Sequence, residues 1–250
     1  TPDEFEERAH QTMHLANLVL QGVPGMTPVT PADIVAINGI DATAQGKTDA
    51  AELQQQLANP VGIYVYKAQT VNVGNNLQDM VDKARSEMKA AKGKRALGKA
   101  LTTAQDLAAA VMNTQMMTSM GRMAAFDLIV NNYDRFRPDG TANLTNLDIG
   151  GGVALGIDNL NPNDRLLDPN SPGVDDWEAG PIFNDAGSAM AYAIKVVDFL
   201  AEQTAYANEN LDAFYSHFSQ GFFAASRQMR DQSTVVGVRR NDLTLPLAKR

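Results

Sequence analysis

The 250-residue chain contains no cysteine, one tryptophan and only three histidines, and aromatic residues make up 6% of it. The missing cysteines exclude disulfides, thiolate nucleophiles and cysteine-based zinc sites together. They leave the compartment open, because a cysteine-free chain tolerates reducing and oxidising surroundings alike. No run approaches the roughly 18–20 apolar residues that a membrane-spanning helix needs. Basic charge is also short: 21 Lys and Arg face 29 Asp and Glu, a formal charge of -8 and a pI near 4.8. That balance argues against a chain whose main task is to grip nucleic acid or an anionic membrane surface. Of the histidines, His10 and His14 stand four apart but have no carboxylate in a zinc-motif position, and they read as surface residues. Ser188 and Ser216-His217 lack the context of a nucleophile elbow, so a Ser-His-Asp hydrolase has little support. The opening Thr1-Pro-Asp-Glu-Phe-Glu-Glu has neither the basic start nor the apolar core of a signal peptide. Beginning on Thr and not Met, the chain is expected to be a trimmed or processed form.

What is present suffices for a globular protein. Hydrophobic residues make up 44% and charged residues 20%, enough to build a core and too apolar for disorder. Residues 3–20 read as an amphipathic helix ended by Gly22-Val-Pro-Gly25. A short strand is expected over 33–38 and a helix over 48–58, stopped by Pro60. Val61 to Lys67 alternates and is rich in β-branched and aromatic residues, as a strand should be. From 76 to 131 the pattern is helical: a charged piece from Asp79 to Lys99 with two glycines that can break it, then a Met- and Ala-rich piece from Ala104. A loop follows over 134–140. A β-hairpin is expected across 143–158, turning at Gly150-Gly-Gly152. Residues 159–184 form a polar stretch holding Trp177, residues 185–231 are mainly helical, and the last 19 residues read as a tail.

The chemistry concentrates between 126 and 159. Phe126-Asp-Leu-Ile-Val-Asn-Asn-Tyr-Asp-Arg-Phe136 is an apolar helix that delivers a polar loop, and the hairpin brings a second carboxylate, Asp158, 24 residues after Asp134. Phosphoryl transfer needs such parts: one carboxylate to orient or deprotonate the acceptor, and a second with an amide oxygen to hold Mg²⁺. The run Asp127-Leu-Ile-Val-Asn-Asn132-Tyr-Asp134-Arg135, with Ile157-Asp158-Asn159 following, resembles the catalytic elements of the atypical kinases. These include the secretory-pathway casein kinases, the spore-coat kinases and the type II phosphatidylinositol 4-kinases. The resemblance covers about 35 residues. It implies that Asp134 is the catalytic-loop carboxylate, that Asn132 and Arg135 shape its loop, and that Asp158 binds metal with Asn146 or Asn143. Asn146 stands twelve residues before Asp158, close to ordinary kinase spacing, which favours it. Where the Gly that often follows Asp-Asn would stand, this chain has Leu160.

Upstream, Tyr64-Val-Tyr-Lys67 is similar to the kinase strand that carries the ATP-contacting lysine, and Glu87 stands twenty residues on, where its pairing carboxylate is expected. No Gly-X-Gly-X-X-Gly precedes Lys67, and only 67 residues separate it from Asp134. The resemblance therefore implies an α+β, kinase-like domain over 1–250. It would have a reduced N-lobe over about 1–100, a mostly helical C-lobe over 101–231 and a tail over 232–250. It further implies an ATP- and Mg²⁺-dependent phosphotransferase acting on a protein. By analogy with minimal kinases, the expected setting is a secreted bacterial effector or toxin acting on a host or neighbouring cell. The same fold can transfer AMP or glutamate.

Three other signals compete. Asp41-Ala-Thr-Ala-Gln-Gly46-Lys47-Thr48 nearly fits a phosphate loop, but Asp41 replaces the first glycine, where a carboxylate would repel phosphate. Met112, Met116, Met117, Met120 and Met123 recur at helical spacing and read as an adaptable core face, with a partner-binding groove as the alternative. The cluster from Lys83 to Lys99 is one basic patch on an acidic chain, expected to be a solvated helix face or a contact for an acidic partner or phosphates. The alternatives to a kinase are thus a helical interaction domain without catalysis and a kinase fold that has lost it.

Overall fold

Asn76, Asn113 and Asp185 each start a long helix in the same way. Their side chains accept hydrogen bonds from backbone N–H groups that the first helical turn leaves without partners. The computed structural model describes residues 15–21, 26–28, 66–68, 74–130, 132–156, 181–207 and 210–236. The chain divides into two compact units, residues 1–10 with 24–71 and residues 11–23 with 72–250.

In the first unit, β1 (Met26–Pro28) and β2 (Tyr66–Ala68) pair antiparallel, with Thr27 opposite Lys67. The expected strand over 61–67 is thus seen at its end, reaching Ala68. The strand and helix expected over 33–38 and 48–58 lie outside the described residues, as does the near phosphate loop at 41–48.

The second unit is mixed α and β, mostly helical, around a small antiparallel sheet. Residues 15–19 are helical, in agreement with the end of the helix expected over 3–20. Then come β3 (Asn75–Asn76), α1 (Leu77–Ala90), α2 (Lys94–Val111) and α3 (Thr114–Ile129). A 3₁₀ turn (Leu144–Asn146) leads into β4 (Asp148–Gly150) and β5 (Val153–Leu155), and the helices α4 (Pro181–Asn184), α5 (Ala186–Gln203) and α6 (Asp212–Val236) follow. The sheet order is β3-β4-β5, all antiparallel.

Four boundaries differ from the sequence reading. The long helical stretch breaks at Gly93 (φ 83°), one of the two glycines expected to allow it, but it also breaks at Met112–Asn113, and Gly98 sits inside α2. The hairpin is shorter than 143–158, because Asn143 caps a 3₁₀ turn and strand pairing begins at Asp148. Within the stretch read as polar and irregular, Pro181–Asn184 forms a short helix. The last helix runs on to Val236, five residues into the expected tail, with no glycine or proline between Asp231 and Gly237 to stop it.

The core gathers around α3. From Met116 to Val130 every apolar side chain is buried, and Met112, Met116, Met117, Met120 and Met123 all belong to this core. The methionine face is therefore interior packing, and the groove alternative falls. Two glycines let α3 and α6 approach until their backbones touch. A Cβ on Gly121 would lie 2.1 Å from the carbonyl oxygen of Phe218, and one on Gly221 would lie 2.1 Å from that of Thr118. Phe183 stacks on Phe222 at 5.6 Å, Phe136 meets Phe218 edge-on at 6.2 Å, and Tyr192 lies against both α6 rings.

Candidate functional site

A carboxylate stands in the apolar run Met123-Ala-Ala-Phe-Asp-Leu-Ile-Val130, where burial of a charge demands a partner. Asp127 is fully buried, and Arg135, itself 1% exposed, supplies that partner. The guanidinium donates from Nε to both carboxylate oxygens at 3.2 and 3.1 Å and from Nη2 to Oδ1. Arg135 also lies 5.9 Å over the ring of Phe126. Burial pushes the Asp127 carboxyl up to about 6, while the charge and hydrogen bonds of Arg135 pull it down. Sequence reasoning assigned Arg135 to the loop but missed Asp127. The signal was there: a lone charge inside a helix face with no polar stripe.

This pair anchors the loop after α3. The loop backbone is fastened at successive residues. Asn132 N–H donates to the Asp127 carbonyl at 2.8 Å, and Asn143 N–H to that of Arg135 at 2.8 Å. Arg137 N–H donates to the Thr141 carbonyl at 3.0 Å. Phe136 is buried in the aromatic cluster and bridges to Ala142. From α5, the Tyr192 hydroxyl donates to the Arg137 carbonyl at 3.0 Å, and burial holds its phenol well above the ordinary range. The loop is thus held from α3, α5 and the 3₁₀ turn together.

Of the residues singled out from sequence, Asn132, Asp134, Arg135, Asn143 and Asn146 come together in this loop and turn. Asp134 is half-buried, and its backbone N–H donates weakly to Asn132 Oδ1 at 3.4 Å. Asn146 Nδ2 donates to the Asp134 carbonyl at 3.1 Å, across 12 residues of chain. Asn143 is occupied otherwise: its Oδ1 accepts from Thr145 N–H at 3.3 Å and from Thr145 Oγ1 at 2.6 Å. Asn132 is 1% exposed, and among the described residues its Nδ2 has no hydrogen-bond partner. A buried donor left unmade costs roughly 1–3 kcal/mol.

Of the other expected site residues, two are described. Lys67 belongs to β2 in the first unit. Glu87, on α1 in the second unit, accepts from Thr103 Oγ1 at 2.7 Å and so ties α1 to α2. Asp158 lies outside the described residues. The loop's donors, a carboxylate at Asp134 and an amide oxygen at Asn146, are the hard oxygens that Mg²⁺ prefers. Among the described residues no three acidic or histidine side chains cluster as a metal site, so a metal here would depend on Asp158. Among the described residues no helix is long and apolar enough to cross a membrane. Set against models of known protein families, curated proteins and solved structures, the chain matches none.

Proposed function

We propose that the chain is a kinase-like phosphotransferase with a reduced N-lobe and a mostly helical C-lobe, acting on a protein acceptor. The observation that carries this reading is the hydrogen bond from Asn146 Nδ2 to the Asp134 carbonyl. It joins two residues picked from separate sequence elements, and the amide oxygen of Asn146, which accepts a long 3.4 Å bond from Thr145 Oγ1, is a candidate metal ligand beside the loop. Asn143, used as a cap, is the weaker candidate. In this reading Asp134 orients and deprotonates the acceptor hydroxyl, and Asn146 and Asp158 hold the cation. Lys67 is the candidate for the nucleotide phosphates, and Glu87 remains its candidate partner. Asn132 and the buried Asp127–Arg135 pair keep the loop in one conformation, so that little ordering is left to do when the acceptor arrives. Mg-ATP, when bound, would supply the transferable phosphoryl group and the charge neutralisation that its transfer requires.

The test is phosphate transfer from γ-labelled ATP to the chain itself or to a protein acceptor. Transfer is expected with Mg²⁺ and lost in Asp134→Ala and Asp158→Ala, and it should persist in Lys47→Ala. Transfer of label from α-labelled ATP instead would move the chemistry to AMP transfer. No transfer and no nucleotide binding would defeat the reading. The setting we carry forward is a secreted bacterial effector.

A further inference from the structure

At the junction of α1 and α2 the molecule reverses its own charge. Between Lys83 and Lys99 there are seven cations and one carboxylate, Glu87, on a chain whose net charge is -8. The end of this helical hairpin stands clear of the body: from Met88 to Lys99 every residue is exposed except the half-buried Ala91, and burial resumes at Ala100. Nearer the body, the Arg85 guanidinium donates to Gln203 Oε1 at 2.9 Å. Among the described residues, the side chains of Lys89, Lys92, Lys94, Arg95 and Lys99 make neither an ion pair nor a hydrogen bond.

Two features mark this tip as more than a solvated face. The start of α2 breaks the usual rules of helix chemistry. Gly93 gives no side-chain cap, the first turn has no acidic residue, and Lys94 and Arg95 stand at the positive end of the helix dipole. Positive potential is concentrated there at a cost in helix stability. Apolar side chains also sit among the cations: Met88, Leu97 and Leu101 are 38%, 44% and 45% exposed, three of the four exposed large hydrophobic residues among the described residues.

We propose that the α1–α2 tip docks on an anionic lipid surface, with Leu97, Leu101 and Met88 entering the interface and the lysines meeting headgroup phosphates and carboxylates. Charge complementarity selects the occupant, because the remaining acidic body is repelled by such a surface and turns the tip towards it. Lysines dominate the cluster, and their point charges on flexible stems suit a diffuse anionic surface more than paired carboxylates. The tip has no aromatic residue to stack on bases or to anchor a protein interface. Shallow apolar insertion beside a basic cluster is the chemistry of peripheral membrane contact. The whole-chain acidity that argued against membranes averages over a molecule in which the basic cluster of 83–99 is gathered at one end of a hairpin.

The experiment is co-sedimentation of the full chain with vesicles of phosphatidylcholine alone or mixed with phosphatidylserine. Binding is expected only to the mixed vesicles, falling about tenfold or more in high salt and in a K89E/K92E/K94E/R95E variant. A second variant, Leu97→Ser with Leu101→Ser, keeps every charge and should also bind severalfold more weakly. All six positions are exposed, so thermal melting should confirm that both variants fold. Equal binding to both vesicle types, or undiminished binding by the charge-reversed variant, would overturn the proposal. So would capture by DNA or an acidic polypeptide without any by vesicles.

Discussion

Arg135 and Asp127 are both sealed from water, and that decides what substitution of either one does. Asp127→Ala leaves a guanidinium buried without its counter-charge and should cost about 3–5 kcal/mol in urea unfolding. The pair also carries a pH signature. The Asp127 carboxyl stands at 3.8 when exposed and is pushed up to about 6 in the fold. The folded state therefore holds a proton over that interval that the unfolded chain has released. Its contribution to stability is present below about pH 4 and is lost as pH rises through about 6. Wild type should lose stability relative to Asp127→Asn across that window, and unfolding curves at pH 4, 5, 6 and 7 would show it. A constant difference between the two proteins would contradict the assignment. Asn132 makes the opposite case. Asn132→Ala removes a buried donor that has no partner among the described residues and one weak 3.4 Å bond. Stability should change by less than about 1 kcal/mol, while any transfer activity should fall steeply. Melting and activity measured on the same preparation would separate the two effects.

Among the elements, α3 and α6 depend on glycine where α2 does not. Gly121→Ala or Gly221→Ala drives a Cβ to 2.1 Å from a backbone carbonyl, and the helices must part. A loss of about 1–3 kcal/mol or more is expected in each case. Gly98, inside α2, has open space where its Cβ would be, so Gly98→Ala should stabilise by roughly 0.5–1 kcal/mol through helix propensity. Thermal melts of the three variants would test the contrast in sign. The same glycines show how much of the fold could be read from sequence. The helical stretches over 76–131 and 185–231 were legible in the sequence, but the break between α5 and α6 was not. Gly93 and Gly98 look alike in sequence, but only Gly93 adopts a positive φ. The first hairpin strand was read too long because Asn143 can open a strand or cap a turn. The bond to Thr145 N–H settles that only in three dimensions.

For the molecule as a whole, the candidate site was legible because its parts lie close along the chain. Asn132, Asp134, Arg135 and Asn146 fall within fifteen residues, and local backbone hydrogen bonds bring them together. The partners that arrive from elsewhere, the Tyr192 hydroxyl above all, carry no local signal. Asp127 shows the limit differently: its sequence signal is a misplaced charge, but the identity of its partner emerges only from packing. The loop is thus a well-supported frame for chemistry, and the kinase-like assignment turns on whether Mg-ATP engages it. Saturating ligand at 100 times Kd should add about 2.7 kcal/mol to the native state. The most direct measurement is therefore the unfolding free energy of wild type and Asp158→Ala with and without Mg-ATP. The account predicts a gain of that size in wild type, and a much smaller one in Asp158→Ala. No gain in wild type at millimolar Mg-ATP would contradict it.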